Sequence, residues 1–233
     1  MHAVPVVCAV AAVPAGWFAG VLADRVPDRI PLRPLPGVRV HGRYLAMQVL
    51  ILGLFIAVGF RFEDAVWIRI VGYLLLAGVL VTVSAIDIDC FRLPDRIVLP
   101  SLAASAAIVV AGSLREGHPA EIAYAASGGA IYFAVLLVFH LVSPGGMGFG
   151  DVKLAALMGL YLGWLALGVG TAFVLVLWAL GAGAIVATVV GAVLLGVQGR
   201  SRRTPIPFGP YLAFGALLVV LLTPHLVTFG LSA

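Results

Sequence analysis

The sequence predicts an all-α, polytopic integral membrane helix bundle of about eight transmembrane helices, and three observations carry that prediction. Of 233 residues, 63% are hydrophobic and only 10% are charged, against roughly a quarter charged in an ordinary soluble domain; mean hydropathy is +1.16. Apolar stretches recur at about the 20-residue length that crosses a bilayer core. Basic residues collect in alternate connections between those stretches. The formal charge of +4 is no nucleic-acid footprint, because the basic residues are scattered over short loops rather than gathered on one face.

On that ruler the spans fall at 3–22, 44–60, 66–86, 97–113, 120–142, 152–168, 170–197 and 208–230. The first lacks a basic leader and runs into a charged loop, so it reads as a span rather than a cleaved signal peptide. Gly16-xxx-Gly20 within it has the small-residue spacing that lets helices approach closely in lipid, and Gly159-xxx-Gly163 in the sixth span has the same spacing. Each pair is either a specific contact or ordinary packing. The Pro- and Arg-rich connection 24–43 is too short to bury a core and reads as a loop lying on anionic lipid. The second, fourth and sixth spans are short, and the break near Gly168-Val169-Gly170 separates the sixth from the seventh.

Alternating topology puts loops 23–43, 87–96, 143–151 and 198–207 on one side. Arg25, Arg29, Arg33, Arg39, Arg43, Arg92, Arg96, Lys153, Arg200, Arg202 and Arg203 lie there, eleven of the 14 basic residues. Arg61, Arg69 and Arg115 fall on the other side. The bias assigns the first side to the cytoplasm of an inner (plasma) membrane protein with both termini outside. Cys8 and Cys90 then lie on opposite sides and cannot pair, and two thiols without a CxxC make no zinc site. His140, ending the fifth span, either approaches the acids described next or is a boundary histidine satisfied by water or backbone.

Two acidic clusters sit at cytoplasmic span boundaries: Ile86-Asp87-Ile88-Asp89-Cys90-Phe91-Arg92-Leu93-Pro94-Asp95, and Gly145-Gly146-Met147-Gly148-Phe149-Gly150-Asp151-Val152-Lys153. Acids at a bilayer surface are costly and mark function by default. Asp95 suits the cap of the fourth helix, and Asp151 reads either as the cap of the sixth or as a functional acid. Asp87 and Asp89 have no such structural role, and a negative charge on Asp87 opposes the macrodipole of the helix it closes. Gly145, Gly146, Gly148 and Gly150 free the backbone before Asp151 and let an extended chain lie against it. Two carboxylates from separate helices, sharing one proton, are the apparatus of aspartyl proteolysis.

These residues resemble a known family. Ile86-Asp87-Ile88-Asp89, Leu93-Pro94-Asp95-Arg96-Ile97-Val98-Leu99-Pro100, Gly146-Met-Gly-Phe-Gly-Asp151-Val-Lys153 and Pro207-Phe-Gly-Pro210 are similar, in order, to motifs of the type IV prepilin leader peptidases, integral aspartyl proteases with a GxGD motif. Gly16 to Pro27 is a looser match to the family's N-terminal motif. The resemblance implies Asp87 and Asp151 as the catalytic pair, with Asp89, Pro94, Asp95, Gly148, Gly150 and Lys153 as supporting motif positions and Asp89 and Asp95 facing the substrate's basic leader. It implies residues 66–233 as the peptidase membrane domain, behind an N-terminal membrane region at 1–65. The implied substrates are prepilins or pseudopilins, cut at the cytoplasmic face after a Gly that precedes an apolar helix.

Many members of that family also N-methylate the new N-terminus with S-adenosylmethionine, and usually carry two CxxC pairs in the loop after the first helix. Here that loop, 24–43, holds no cysteine, which argues against zinc. It leaves methylation open and assigns no residue to a cofactor; the proteolysis itself needs none. Gln48, in the text that resembles the end of that region, stands where an acid is usual. Two other classes share the acid-rich polytopic pattern. A polyprenyl-phosphate sugar-phosphate transferase would need Mg²⁺ and phosphate-binding basic residues, and a secondary transporter would place its acids near the midplane of an inverted repeat.

Overall fold

The computed structural model describes residues 3–26, 42–143, 147–198 and 207–230. Eight helices form the chain there, in the order α1 (Ala3–Arg25), α2 (Gly42–Arg61), α3 (Trp67–Cys90), α4 (Asp95–Arg115), α5 (Ala120–Val142), α6 (Phe149–Trp164), α7 (Val169–Gln198) and α8 (Gly209–Gly230). Six of them, α1 to α5 and α7, are long and apolar enough to cross a membrane, which makes this a multi-pass membrane protein. Arg29, Arg33, Arg39, Arg200, Arg202 and Arg203 lie outside the described residues, as do the side chain of Arg43 and Gly145 and Gly146. The chain packs as two compact units, Met1–Pro119 and Ala120–Ala233.

In the first unit α3 is the most enclosed helix, with α1, α2 and α4 packed on it. Ile70, Tyr73, Leu76, Ala77, Leu80, Val83 and Ile86 all lie within it, at the three- and four-residue spacing of helix faces. On α1 the pattern divides by size. Small residues, Cys8, Ala12, Gly16, Ala19, Gly20 and Ala23, turn inward, while Val6, Val10, Val13, Trp17 and Phe18 turn outward. Such an outward apolar face suits lipid rather than water. α2 packs on α1, and its Met47, Ile51, Phe55 and Val58 are buried. Gly16-xxx-Gly20 is a specific contact: Gly20 lies under the Tyr44 ring, and a methyl on Gly16 would stand 2.8 Å from the side-chain carbonyl carbon of Gln48.

Polar pairs fasten the two ends of this unit. At one end, Arg69 at the start of α3 makes an ion pair with Glu116, just past α4. Phe62 stacks on Tyr73 with centroids 4.3 Å apart. Arg69 and Asp87 are separated by 18 helical residues, about 27 Å at 1.5 Å per residue, so this end lies well away from Asp87. At the other end the Tyr44 hydroxyl donates to the Asp24 carboxylate, and Gln48 donates through Nε2 to the Val13 carbonyl, 3.0 Å away. A carboxylate at position 48 could not make that bond, because it has no hydrogen to give.

In the second unit α6 is the enclosed helix, in contact with α5, α7 and α8. It has 16 residues, about 24 Å, shorter than a hydrocarbon core of about 30 Å. Eleven of the 16 are buried, among them Leu154, Leu157, Met158, Tyr161 and Trp164. A helix sheathed in protein on nearly every side needs close neighbours, and glycine supplies the clearance. Gly159-xxx-Gly163 sits against Gly128 of α5, where a methyl on Gly128 would lie 2.8 Å from the Gly163 Cα and strike the Gly159 carbonyl oxygen. The spacing marks a real helix–helix seam.

That seam makes a stability prediction. Gly159→Leu inserts four carbons where a methyl already meets the backbone of Gly128 and Gly129, and it should destabilise by ~3 kcal/mol or more, the upper end for overpacking. Gly181→Ala on α7, where an added methyl meets nothing within 4 Å, should be neutral or stabilising by up to ~1 kcal/mol. Melting curves in detergent, followed by circular dichroism, separate the two. A Gly159→Leu protein melting with the wild type would refute the seam.

Candidate functional site

The acid-bearing ends of α3 and α6 are built from opposite helix poles. α3 continues beyond the expected boundary at 86 to Cys90, so Asp87 lies in its last turn. The helix stops at Phe91, which adopts a left-handed conformation (φ 51°, ψ 35°) and donates its N–H to the Asp87 carbonyl at 2.9 Å. That conformation normally belongs to glycine and costs a bulky residue about 1–2 kcal/mol. Phe91 is a site-flanking residue that sequence reasoning misses, since nothing in Cys-Phe-Arg signals a left-handed cap.

α4 starts two residues before the expected 97. Pro94 (φ −73°, ψ 122°) is its N-cap and Asp95 its first helical residue, which corrects the expectation that Asp95 caps the helix. The ψ of Pro94 leaves the chain extended there while its φ already suits the helix, and its carbonyl takes the N–H groups of Ile97 and Val98 at 3.0 and 3.2 Å. Asp95 still places a negative charge where the positive pole of the helix favours it.

α6 likewise starts earlier than the expected 152. Gly148 is the N-cap (φ −71°, ψ 144°), and Asp151 is the third helical residue, its N–H bonded to the Gly148 carbonyl at 3.1 Å. Asp151 therefore does not cap the helix. The two glycines of the motif make no use of glycine's special dihedrals: Gly148 is in ordinary extended backbone and Gly150 is helical. Among the described residues the only glycine with positive φ is Gly117, past α4. What Gly148 contributes is clearance. A methyl there would lie 3.6 Å from Asp151 Oδ2, an ordinary contact that would occupy space beside the carboxylate.

Burial sorts the acids. Asp87 is 5% exposed and Asp151 6%, and they are the only buried acidic residues among the described ones. Asp89 and Asp95 are exposed, and so is Cys90. Residues two apart on a helix point about 200° apart, so Asp87 and Asp89 cannot share a face. Around the start of α6 the second unit gathers His140, Met147, Phe149 and Lys153. The Lys153 ammonium lies 5.1 Å from the Phe149 ring centre, and His140 contacts the backbone of Met147. Among the described residues no three His, Cys, Asp or Glu side chains are grouped so that they could hold a metal ion. Cys8 is buried in α1.

Comparison with known proteins adds a family. The model of the "Type IV leader peptidase family" matches residues 74–222, a span that takes in both acid-bearing ends. The chain is 34% identical over 160 residues to a protein of Aeromonas salmonicida named "Prepilin leader peptidase/N-methyltransferase", covering 68% of this chain and 52% of that protein. Proteins of the same name from Pseudomonas putida and Bacillus subtilis are 35% and 31% identical, covering 78% and 83% of this chain and 60% and 71% of theirs. The chain spans about half the length of the Aeromonas relatives it matches. No solved structure matches it.

Proposed function

Because the chain belongs to the type IV leader peptidase family, we propose that it is a membrane aspartic endopeptidase, removing the basic leader of a prepilin or pseudopilin with Asp87 and Asp151 as its catalytic pair. The observation that carries the pairing is selective burial: of the four motif acids, these two are withdrawn from solvent while Asp89 and Asp95 are exposed. Family membership sets aside the transferase and transporter alternatives.

The chemistry follows from sharing one proton between two carboxyls. The ionised member takes a proton from water, whose oxygen bonds to the scissile carbonyl carbon. The protonated member gives its proton to the carbonyl oxygen. The tetrahedral diol then collapses: the C–N bond breaks, the nitrogen takes up a proton, and the carboxyls return to their starting state. Gly148 leaves room for an extended chain beside Asp151, and the exposed Asp89 and Asp95 receive the basic leader. Residues 66–233 carry this work as one functional domain, with 1–65 as an N-terminal membrane region. The acids face the cytoplasm of a plasma-membrane protein whose termini lie outside, since eleven of the 14 basic residues fall on the acid side.

Methyl transfer stands apart from the cleavage. The half-open apolar groove of about 440 Å³ between α1, α2, α3 and α4 is lined by no charged side chain, a poor match for a zwitterionic sulfonium donor.

Asp87→Asn and Asp151→Asn should each lower cleavage of a prepilin reporter by roughly 10²–10⁴-fold, with the protein still inserted; Asp89→Asn should be milder. Near-normal turnover by either of the first two would overturn the pair. Gly148→Ala should keep stability within ~1 kcal/mol, since the added methyl is sterically tolerated, yet lower cleavage roughly 10–100-fold by crowding the substrate beside Asp151. Full activity would show the clearance to be unused. Purified protein should cleave without added cofactor, and mass spectrometry of the released pilin with and without S-adenosylmethionine reads the second activity. Cleavage that needed the donor would contradict the separation of the two.

A further inference from the structure

We infer that His140 is a positioning residue for the Asp151 end of α6, an inference that rests on the peptidase reading above. His140 stands in the last turn of α5, and its Nδ1 lies 2.9 Å from the carbonyl oxygen of Met147, across the connection to α6. A carbonyl only accepts, so Nδ1 carries a hydrogen and donates it. The accepting carbonyl belongs to the residue before Gly148, whose own carbonyl receives the Asp151 N–H at 3.1 Å. His140, Met147, Gly148 and Asp151 are thus linked by two hydrogen bonds and one peptide unit.

A second contact holds the other side of the cap. The His140 ring packs against Phe149, the first residue of α6, with centroids 5.6 Å apart and planes tilted by 54°. Phe149 in turn lies beneath the Lys153 ammonium. One side chain from α5 therefore grips the residues immediately before and after Gly148. The cap needs such a grip, because Gly148 has no side chain of its own to hold it: no side-chain bond caps α6, and glycine is the least stiff residue in a backbone. The α5–α6 seam lies further along, at Gly128, Gly129, Gly159 and Gly163, and fixes the body of the helix rather than its first turn. Misplacing a reacting group by about 1 Å costs on the order of 100-fold in rate.

The two contacts can be separated by substitution. His140→Phe keeps an aromatic ring beside Phe149 and removes the donor. His140→Asn places an amide N–H at about the reach of Nδ1. With a prepilin reporter, His140→Phe should lose on the order of 10–100-fold in kcat with KM changed less than about twofold, and His140→Asn should recover most of the loss, at melting temperatures equal to wild type. In parallel, a nitroxide on Met147→Cys, which keeps the accepting backbone carbonyl and leaves Gly148 unsubstituted, in protein with Cys8 and Cys90 replaced by serine, reports the cap without requiring activity. Its spectrum should sharpen with His140→Phe and stay broad with His140→Asn. A His140→Phe enzyme with wild-type kcat, or an unchanged nitroxide spectrum, overturns the inference. So does a His140→Asn enzyme as slow as His140→Phe. A wild type that fails to cleave while the label responds as described would sink the peptidase reading and leave His140 as the anchor of the α6 cap.

Discussion

An ionisable acid is costly in a bundle that faces lipid, by about 2.5–3.5 kcal/mol at a helix centre on insertion scales and less toward its ends. The placement of Asp87 and Asp151 follows from that cost. One lies in the last turn of α3 and the other in the first turn of α6, and each belongs to the most enclosed helix of its unit. Enclosure by protein lets a carboxyl be withdrawn from water without being handed to hydrocarbon. In the second unit that enclosure depends on Gly128, Gly159 and Gly163, which bring two backbones close enough to sheathe a helix of only 16 residues.

The bundle was legible because hydropathy is nearly a direct readout of bilayer crossing, and the helices fall close to their expected positions. Each end that carries the acids extends further than hydropathy places it, whereas the far end of α6, expected at 168, stops at Trp164. α3 runs four residues past 86, α4 begins two before 97 and α6 three before 152. A hydropathy ruler measures the lipid-facing stretch, and a helix continues beyond it wherever backbone hydrogen bonds still close. Gly-Phe-Gly-Asp reads as loop by propensity, yet burial of Val152, Leu154 and Ala155 draws the helix back to Phe149. Asp151 moves accordingly from cap to third position.

The division among the acids was partly legible. A spacing of two puts Asp87 and Asp89 on opposite faces of any helix that includes both, but hydropathy ended the helix before either. Pairings between distant residues left no local trace. Arg69 with Glu116 and Tyr44 with Asp24 each join residues whose neighbours along the chain give no sign of the partner, whereas a backbone partner for His140 was one of the two readings its place at the end of the fifth span allowed. Gln48 is a telling case: it stands where an acid is usual in the resembled family, and in the fold it is a donor to the α1 backbone that a carboxylate could not replace.

Catalysis by a carboxyl pair requires that Asp87 and Asp151 approach one another in the membrane-embedded protein, and proximity in native membranes tests that requirement most directly. Asp87→Cys and Asp151→Cys would be combined in protein with Cys8 and Cys90 replaced by serine, then treated with a short bifunctional thiol reagent. The crosslinked peptides would be identified by mass spectrometry. A crosslink between positions 87 and 151, far exceeding that of the matched 89 and 151 pair, is the predicted result. No crosslink at 87 and 151, with both thiols shown to react singly, would contradict the account.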